Sequence, residues 1–173
     1  MSFVQGELGV DDEAARAQGP RAKVILGTRG TMKCLKARDA FAAGTAICAF
    51  AAREVYHAPT RYTVQRGLHA HITLEPELLQ YINHSCDPNI YFDFETNQLV
   101  ALRDISTGEE LCFFYPSTEW DMQEPFACAC QTPRCTGQIT GASALSSGVM
   151  ATYACSPFIR AQLRQRDVTV ASP

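Results

Sequence analysis

The segment Cys128-Ala-Cys130-Gln-Thr-Pro-Arg-Cys135-Thr-Gly137 constrains what this chain can fold into more than any other. It sets three thiols within eight residues, in a loop that carries a proline and ends in a glycine, so three sulfurs converge wherever that loop folds. Reduced thiols left bare at a surface invite oxidation, which makes an unliganded trio a poor resting state. A disulfide framework would use all eight cysteines as four bridges, but only in an exported chain. Met1 to Val10 has neither basic residues nor an apolar run suited to export, and the cysteine spacing is uneven. Metal binding is the better reading. A structural zinc takes four N or S ligands in a tetrahedron, so a fourth must come from elsewhere in the chain.

Cys34, Cys48, Cys86, Cys112 and Cys155 are the candidates. Cys34, Cys48 and Cys112 lie inside β-prone runs, where a cysteine is more often a small buried hydrophobe, and Cys155 is read the same way. Cys86 instead sits in the polar stretch Asn83-His84-Ser85-Cys86-Asp87-Pro88-Asn89. His84 is chemically acceptable as a ligand, but it and Cys86, two positions apart, would both have to turn toward the metal. The expected ligand set is Cys86, Cys128, Cys130 and Cys135, holding one structural zinc ion.

A chain of 173 residues with 46% hydrophobic content fits one globular domain and leaves no room for a second. No stretch approaches the roughly 18 apolar residues needed to cross a bilayer. The expectation is a soluble, intracellular protein, cytoplasmic or, if eukaryotic, nuclear, with no membrane partner. Net charge is -3, and the 15 Lys and Arg residues are scattered, which argues against nucleic acid as a direct partner. A mildly acidic surface leaves room for a cationic substrate.

Short β-prone runs follow one another from Lys23: Val24 to Leu26, Cys34 to Ala37, Thr45 to Phe50, Tyr62 to Arg66, His71 to Leu74, Ile90 to Phe94, Leu99 to Arg103 and Leu111 to Tyr115. Turn residues such as Gly30, Gly44, Gly67, Pro88, Asn97 and Gly108 separate them. The pattern predicts a mostly β fold of small antiparallel sheets rather than alternating βαβ units. Helix is expected over Glu77 to Ile82, a turn or two, and over Pro157 to Arg166, with Pro157 at the first helical position and Ser156 as cap. His57, His69 and His71 have no metal-ligand spacing and are read as ordinary, His71 as a strand residue that can be buried.

Three segments in this order resemble the SET domain family, whose members transfer methyl groups from S-adenosylmethionine to amines, usually lysine side chains in proteins. Tyr81-Ile82-Asn83-His84-Ser85-Cys86-Asp87-Pro88-Asn89 looks like the family's asparagine-histidine-serine-cysteine motif. Gly108-Glu109-Glu110-Leu111-Cys112-Phe113-Phe114-Tyr115 is similar to its Gly-Glu-Glu-Leu strand ending in a tyrosine. The late cysteine trio resembles the post-SET zinc clip, whose fourth ligand matches Cys86. Upstream, Lys36 to Gly44 looks like the strand and turn that open these domains, and the likeness covers about residues 23 to 142.

The resemblance implies a division into a tail or lead-in (1–20), a SET-like domain (21–118), a post-SET zinc-binding segment (119–142) and a C-terminal extension with a short helix (143–173). It implies a knot-like C-terminal threading, with cofactor on one face and a substrate channel entering from the other. Asn83, and His84 largely through its backbone, would line the S-adenosylmethionine site. Tyr115 would be the catalytic residue, its hydroxyl close to the transferring methyl group. Phe113 falls where the family places an aromatic that governs how many methyl groups fit, and phenylalanine there leans toward di- or trimethylation; core packing is the alternative. Tyr62 looks like the tyrosine that borders the channel, or else a cross-strand packing residue. Trp120 and Phe126 would form an apolar lid over the adenine, or else pack around the metal.

Two departures matter. Met32-Lys33-Cys34 holds the place of the family's Gly-x-Gly, which would make these three residues part of the cofactor wall. The insert between Tyr56 and Tyr81 is short, implying a reduced or more open substrate cleft. The leading expectation is a protein-lysine methyltransferase. An adenosylmethionine-dependent enzyme acting on a free amine or other small metabolite, and a non-catalytic SET-like interaction module, are the competing ones.

Overall fold

The structure, a computed structural model, describes residues 23–171. The tail or lead-in expected over residues 1–20 lies outside the described residues. The first strands, β1 (Val24–Arg29) and β2 (Met32–Ala37), form an antiparallel hairpin in full register from Val24↔Ala37 to Arg29↔Met32. The two residues left between them are Gly30 and Thr31, and Gly30 sits at φ 62. A glycine with positive φ at the first central position is what a tight hairpin turn needs to match the twist of its strands.

Two three-stranded antiparallel sheets follow. One runs β3 (Ala46–Ala49), β9 (Gln98–Ala101), β8 (Ile90–Asp93), and the other β4 (Ala51–Tyr56), β6 (Ala70–Glu75), β5 (Val64–Gly67). The β8–β9 connection is set locally: the Asp93 carboxylate accepts the Glu95 N–H at 2.9 Å, and Asn97 takes φ 53. Strand β4 was not expected. All six of its residues are exposed, so it carries no alternation by which a sequence would announce it.

A one-turn 3-10 helix, Glu77–Tyr81, stands where a turn or two of helix was expected, and leads into the two-residue strand β7 (Asn83–His84). β7 pairs in parallel with β10 (Cys112–Phe113), Asn83 against Cys112 and His84 against Phe113. The predicted strand over Leu111 to Tyr115 thus stops early. A second 3-10 turn, Tyr115–Ser117, begins there, and Pro116 has no N–H to continue a ladder. A final small pair, β11 (Phe126–Ala127) with β12 (Gln138–Ile139), brackets the cysteine loop.

The core has two parts. The larger gathers Leu35, Ile47, Ile72, Ile90 and Leu99 from the sheets with Leu79, Ile105 and Leu111 from the segments between them. The smaller surrounds Cys86 and Phe114 and is closed by the C-terminal extension through Met150, Cys155 and Ile159. There Tyr153 stacks on Phe114 with centroids 3.8 Å apart and donates its hydroxyl to the Cys86 carbonyl at 2.8 Å. The extension folds as a short helix α1 (Ser147–Met150) and a longer one, α2 (Pro157–Ala171). Ser156 caps α2 as expected, its Oγ accepting the Ile159 N–H at 3.2 Å. Residues for which the sequence suggested no role therefore complete the second core.

Candidate active site and metal centre

The parallel pairing of β7 with β10 brings two distant motifs side by side and opens one cleft along their edge. It has a volume of about 850 Å³ and is lined by Asn83 and His84 together with Phe113, Tyr115 and Glu119. That volume lies within the usual range for small-molecule sites. Met32, Lys33, Tyr62 and Phe126 also line it, as do Cys128 and Cys130.

Tyr115 is held from three sides. Its ring packs 4.7 Å from Phe113, 5.2 Å from His84 and 6.0 Å from Phe126. Its hydroxyl donates to the Ile82 carbonyl at 3.1 Å, and its backbone N–H donates to His84 Nδ1 at 3.2 Å. Burial, with the nearby Cys112 adding to it, pushes the phenol up to about 12, so it stays neutral across the physiological range. With its proton directed at Ile82, the oxygen keeps its lone pairs for whatever enters the cleft.

His84 links this tyrosine to the cysteine group. Because Nδ1 accepts from Tyr115, the proton of the neutral ring sits on Nε2, which lies 3.3 Å from Cys86 Sγ. Burial lowers the imidazole to about 4, which keeps it neutral. The ligand atoms of Cys86, Cys128, Cys130 and Cys135 all lie within 4.8 Å of one another, and Cys86 Sγ is 3.8 Å from Cys128 Sγ. Four sulfurs on a tetrahedron with bonds of about 2.3 Å stand about 3.8 Å apart, so this donor set fits zinc. His84 is not one of the four; it supports one of them.

A model of the SET domain matches residues 32–116. This stretch of the chain is a SET domain. It is 41% identical over 114 residues to Methyltransferase flvH of Aspergillus flavus, covering 65% of this chain and 64% of that protein. It is 35% identical over 85 residues to the "Histone-lysine N-methyltransferase, H3 lysine-36 specific" of Aspergillus oryzae, covering 46% of this chain and 9% of that protein. Among solved structures, KRYPTONITE in complex with mCHG DNA and SAH aligns with a TM-score of 0.53 at 20% identity, over 68% of this chain and 29% of that one, a likeness of fold. The chain thus spans just under two thirds of the first of these relatives and about a tenth of the second.

Two positions expected at the cofactor wall of the SET domain are placed elsewhere. Cys34 is fully buried in β2 opposite Gly27 and does not line the cleft, because Met32 and Lys33 take the exposed places of that strand. Trp120 does not line it either. Its N–H donates to Gln65 Oε1 at 2.9 Å, its carbonyl accepts from Ser143, and its ring packs on the second core with Arg166 at 5.9 Å. Lys33, the middle residue of the Met32-Lys33-Cys34 triplet, turns its side chain aside over the Tyr81 ring, with Nζ 4.7 Å from the centroid. Glu119 was missed. Its only trace in the sequence is its place four residues after Tyr115, one helical turn on.

Proposed function

We propose that this chain is an S-adenosylmethionine-dependent N-methyltransferase that acts on a lysine side-chain amine of a protein. The observation that carries this reading is the single cleft in which the Asn83-His84 strand lies beside Phe113 and Tyr115. When bound, S-adenosylmethionine would supply a methyl group activated as a sulfonium. Asn83, His84, Met32, Lys33 and Phe126 would hold it. Asn83 spends its amide hydrogens on Glu110 Oε1 at 2.8 Å and the Lys33 carbonyl at 3.2 Å, which leaves its oxygen to accept from an amino group. Phe126, edge-on to His84 at 5.7 Å, presents an apolar face suited to a purine.

Methyl transfer is an in-line displacement, so the protein's work is to position two reactants and exclude water. The Tyr115 oxygen would accept an N–H of the incoming amine, which turns the nitrogen lone pair away from the phenol and along the line of attack. Phe113 and Tyr62 would border the amine's path. Phe113 is buried, packs 5.0 Å from Phe92 and has no hydroxyl to anchor a water, which favours more than one methyl group on the nitrogen. The cysteine clip contributes Cys128 to Cys130 to the same cleft, so zinc bound by Cys86, Cys128, Cys130 and Cys135 would fix one wall of the site.

Calorimetric titration of the zinc-loaded chain with S-adenosylmethionine tests the reading, and absence of binding would leave only the non-catalytic module. Incubation with peptide arrays and with a pool of metabolites, read by mass spectrometry, then separates a protein lysine from a free amine as acceptor. The histidine link carries its own expected result. A His84→Phe variant keeps an aromatic ring, though a larger one, and loses both hydrogen bonds, and its zinc affinity should fall about 10- to 100-fold in competition with a chelator. Unchanged affinity would mean that His84 does not support Cys86.

A further inference from the structure

Neither the clip nor the tyrosine accounts for Glu119. The residue is only 8% exposed, and its backbone N–H donates to the Tyr115 carbonyl at 3.0 Å, which sets it one turn on from Tyr115 along the same wall. Taking a carboxyl out of water is costly unless it is well partnered. One oxygen, Oε1, takes both partners: the Gln65 N–H at 3.0 Å and the Thr118 hydroxyl at 3.1 Å. Oε2 takes none. Yet it is not among the buried polar atoms without a partner, which in the described residues are His71 Nδ1 and Thr73 Oγ1. Oε2 therefore opens onto free space, and the space that Glu119 borders is the cleft.

A clamp between β5 and the segment after Tyr115 would need only Oε1. Glutamine would serve it as well, because an amide oxygen accepts the same two bonds without burying an acid. What calls for a carboxyl is a second oxygen able to hold or release a proton in the cleft. We propose that Glu119 determines specificity for an amine that arrives as its ammonium: Oε2 receives a hydrogen bond from the substrate's ammonium and takes up the proton that the ammonium must shed. This rests on the methyltransferase reading.

The chemistry balances. Ammonium and carboxylate become amine and carboxylic acid, so a charge pair is replaced by a neutral pair and the nitrogen lone pair is freed. The nitrogen–methyl bond then forms as the sulfur–methyl bond breaks, and the positive charge passes from sulfur to the methylated nitrogen. Glu119 returns its proton to water as the product leaves, one proton for each methyl group transferred. An unperturbed lysine ammonium, with a pKa of about 10.4, would give up that proton to water unwillingly at pH 7. Burial lifts the Glu119 carboxyl to about 7, offset in part by its bonds from Gln65 and Thr118, which makes it a better acceptor than an exposed carboxylate.

The test titrates the zinc-loaded chain, saturated with S-adenosylhomocysteine, with n-butylammonium chloride as a lysine side-chain mimic and with 1-butanol as its uncharged counterpart. Wild type should prefer the ammonium by about tenfold or more, the worth of a charge-assisted hydrogen bond. Glu119→Gln should bring that preference close to unity and leave the 1-butanol affinity unchanged. A glutamine variant that keeps the preference overturns the proposal. So does a wild type that binds both probes alike, an outcome that needs no folded variant. Binding of S-adenosylhomocysteine is measured first: its absence refutes the methyltransferase reading itself, whereas its presence with an unaltered ammonium preference in the variant refutes only the role of Glu119.

Discussion

A Cys86→Ser variant is expected to purify without zinc and to unfold well below the wild type. Cys86 is the one ligand that does not belong to the late loop. It is fully buried, and its sulfur lies 3.3 Å from His84 Nε2 and receives the Thr136 N–H at 3.5 Å, so it joins the clip to the body of the domain. Serine at this place offers a hard, protonated hydroxyl in a pocket shaped for a thiolate. Structural zinc contributes on the order of 10 kcal/mol, and losing even half of that lowers the unfolding midpoint by roughly 10 to 20 °C in a domain of this size. Cys130→Ser should also lose the metal, but with less damage to the body, since Cys130 lies on the loop itself and leaves the Cys86 contacts in place. Elemental analysis and thermal unfolding check both variants. One zinc per chain and an unchanged midpoint in Cys86→Ser would remove this residue from the metal site.

That Cys86 could be picked from five candidates shows where sequence is informative. A polar loop between strands distinguishes a ligand cysteine from Cys34, Cys48, Cys112 and Cys155, none of which joins the metal group. The β8–β9 hairpin was legible from two β-prone runs flanking the turn residue Asn97, whereas the alternation of buried and less buried positions along both strands shows only in the fold. Strands β7, β11 and β12 were not legible. Each has two residues and exists only because a distant partner pairs with it, so no local pattern encodes it. Likeness to a family placed Cys34 on the cofactor wall, whereas its own strand context read it as a small buried hydrophobe; the structure sides with the strand. Trp120 shows the opposite limit. An aromatic between the tyrosine and the clip looks like a lid, but whether it faces the cleft depends on Gln65 and Ser143, far away in sequence, which tie down its backbone. Glu119 lay hidden because burial of a single carboxyl is a property of the assembled wall and not of its neighbours in the chain.

Tyr115→Phe should lower turnover by about 10²- to 10³-fold and leave cofactor affinity near that of the wild type. The substitution removes one oxygen and keeps the ring, whose contacts with Phe113, His84 and Phe126 are apolar or edge-on and do not need the hydroxyl. The backbone bond to His84 is also retained, so the link to the cysteine group survives. What disappears is a neutral oxygen fixed by Ile82 at 3.1 Å, oriented before the amine arrives. Removing one preorganised hydrogen-bonding group of this kind commonly costs two to three orders of magnitude in rate. On the proposed reading, binding of S-adenosylmethionine would depend instead on Asn83, His84 and Phe126, whose contacts the substitution leaves in place. Calorimetry and a kinetic assay of S-adenosylhomocysteine release separate the two quantities. If the variant turns over at the wild-type rate, the phenol takes no part in the transfer. If cofactor affinity falls in parallel with the rate, Tyr115 shapes the cleft instead of orienting the amine.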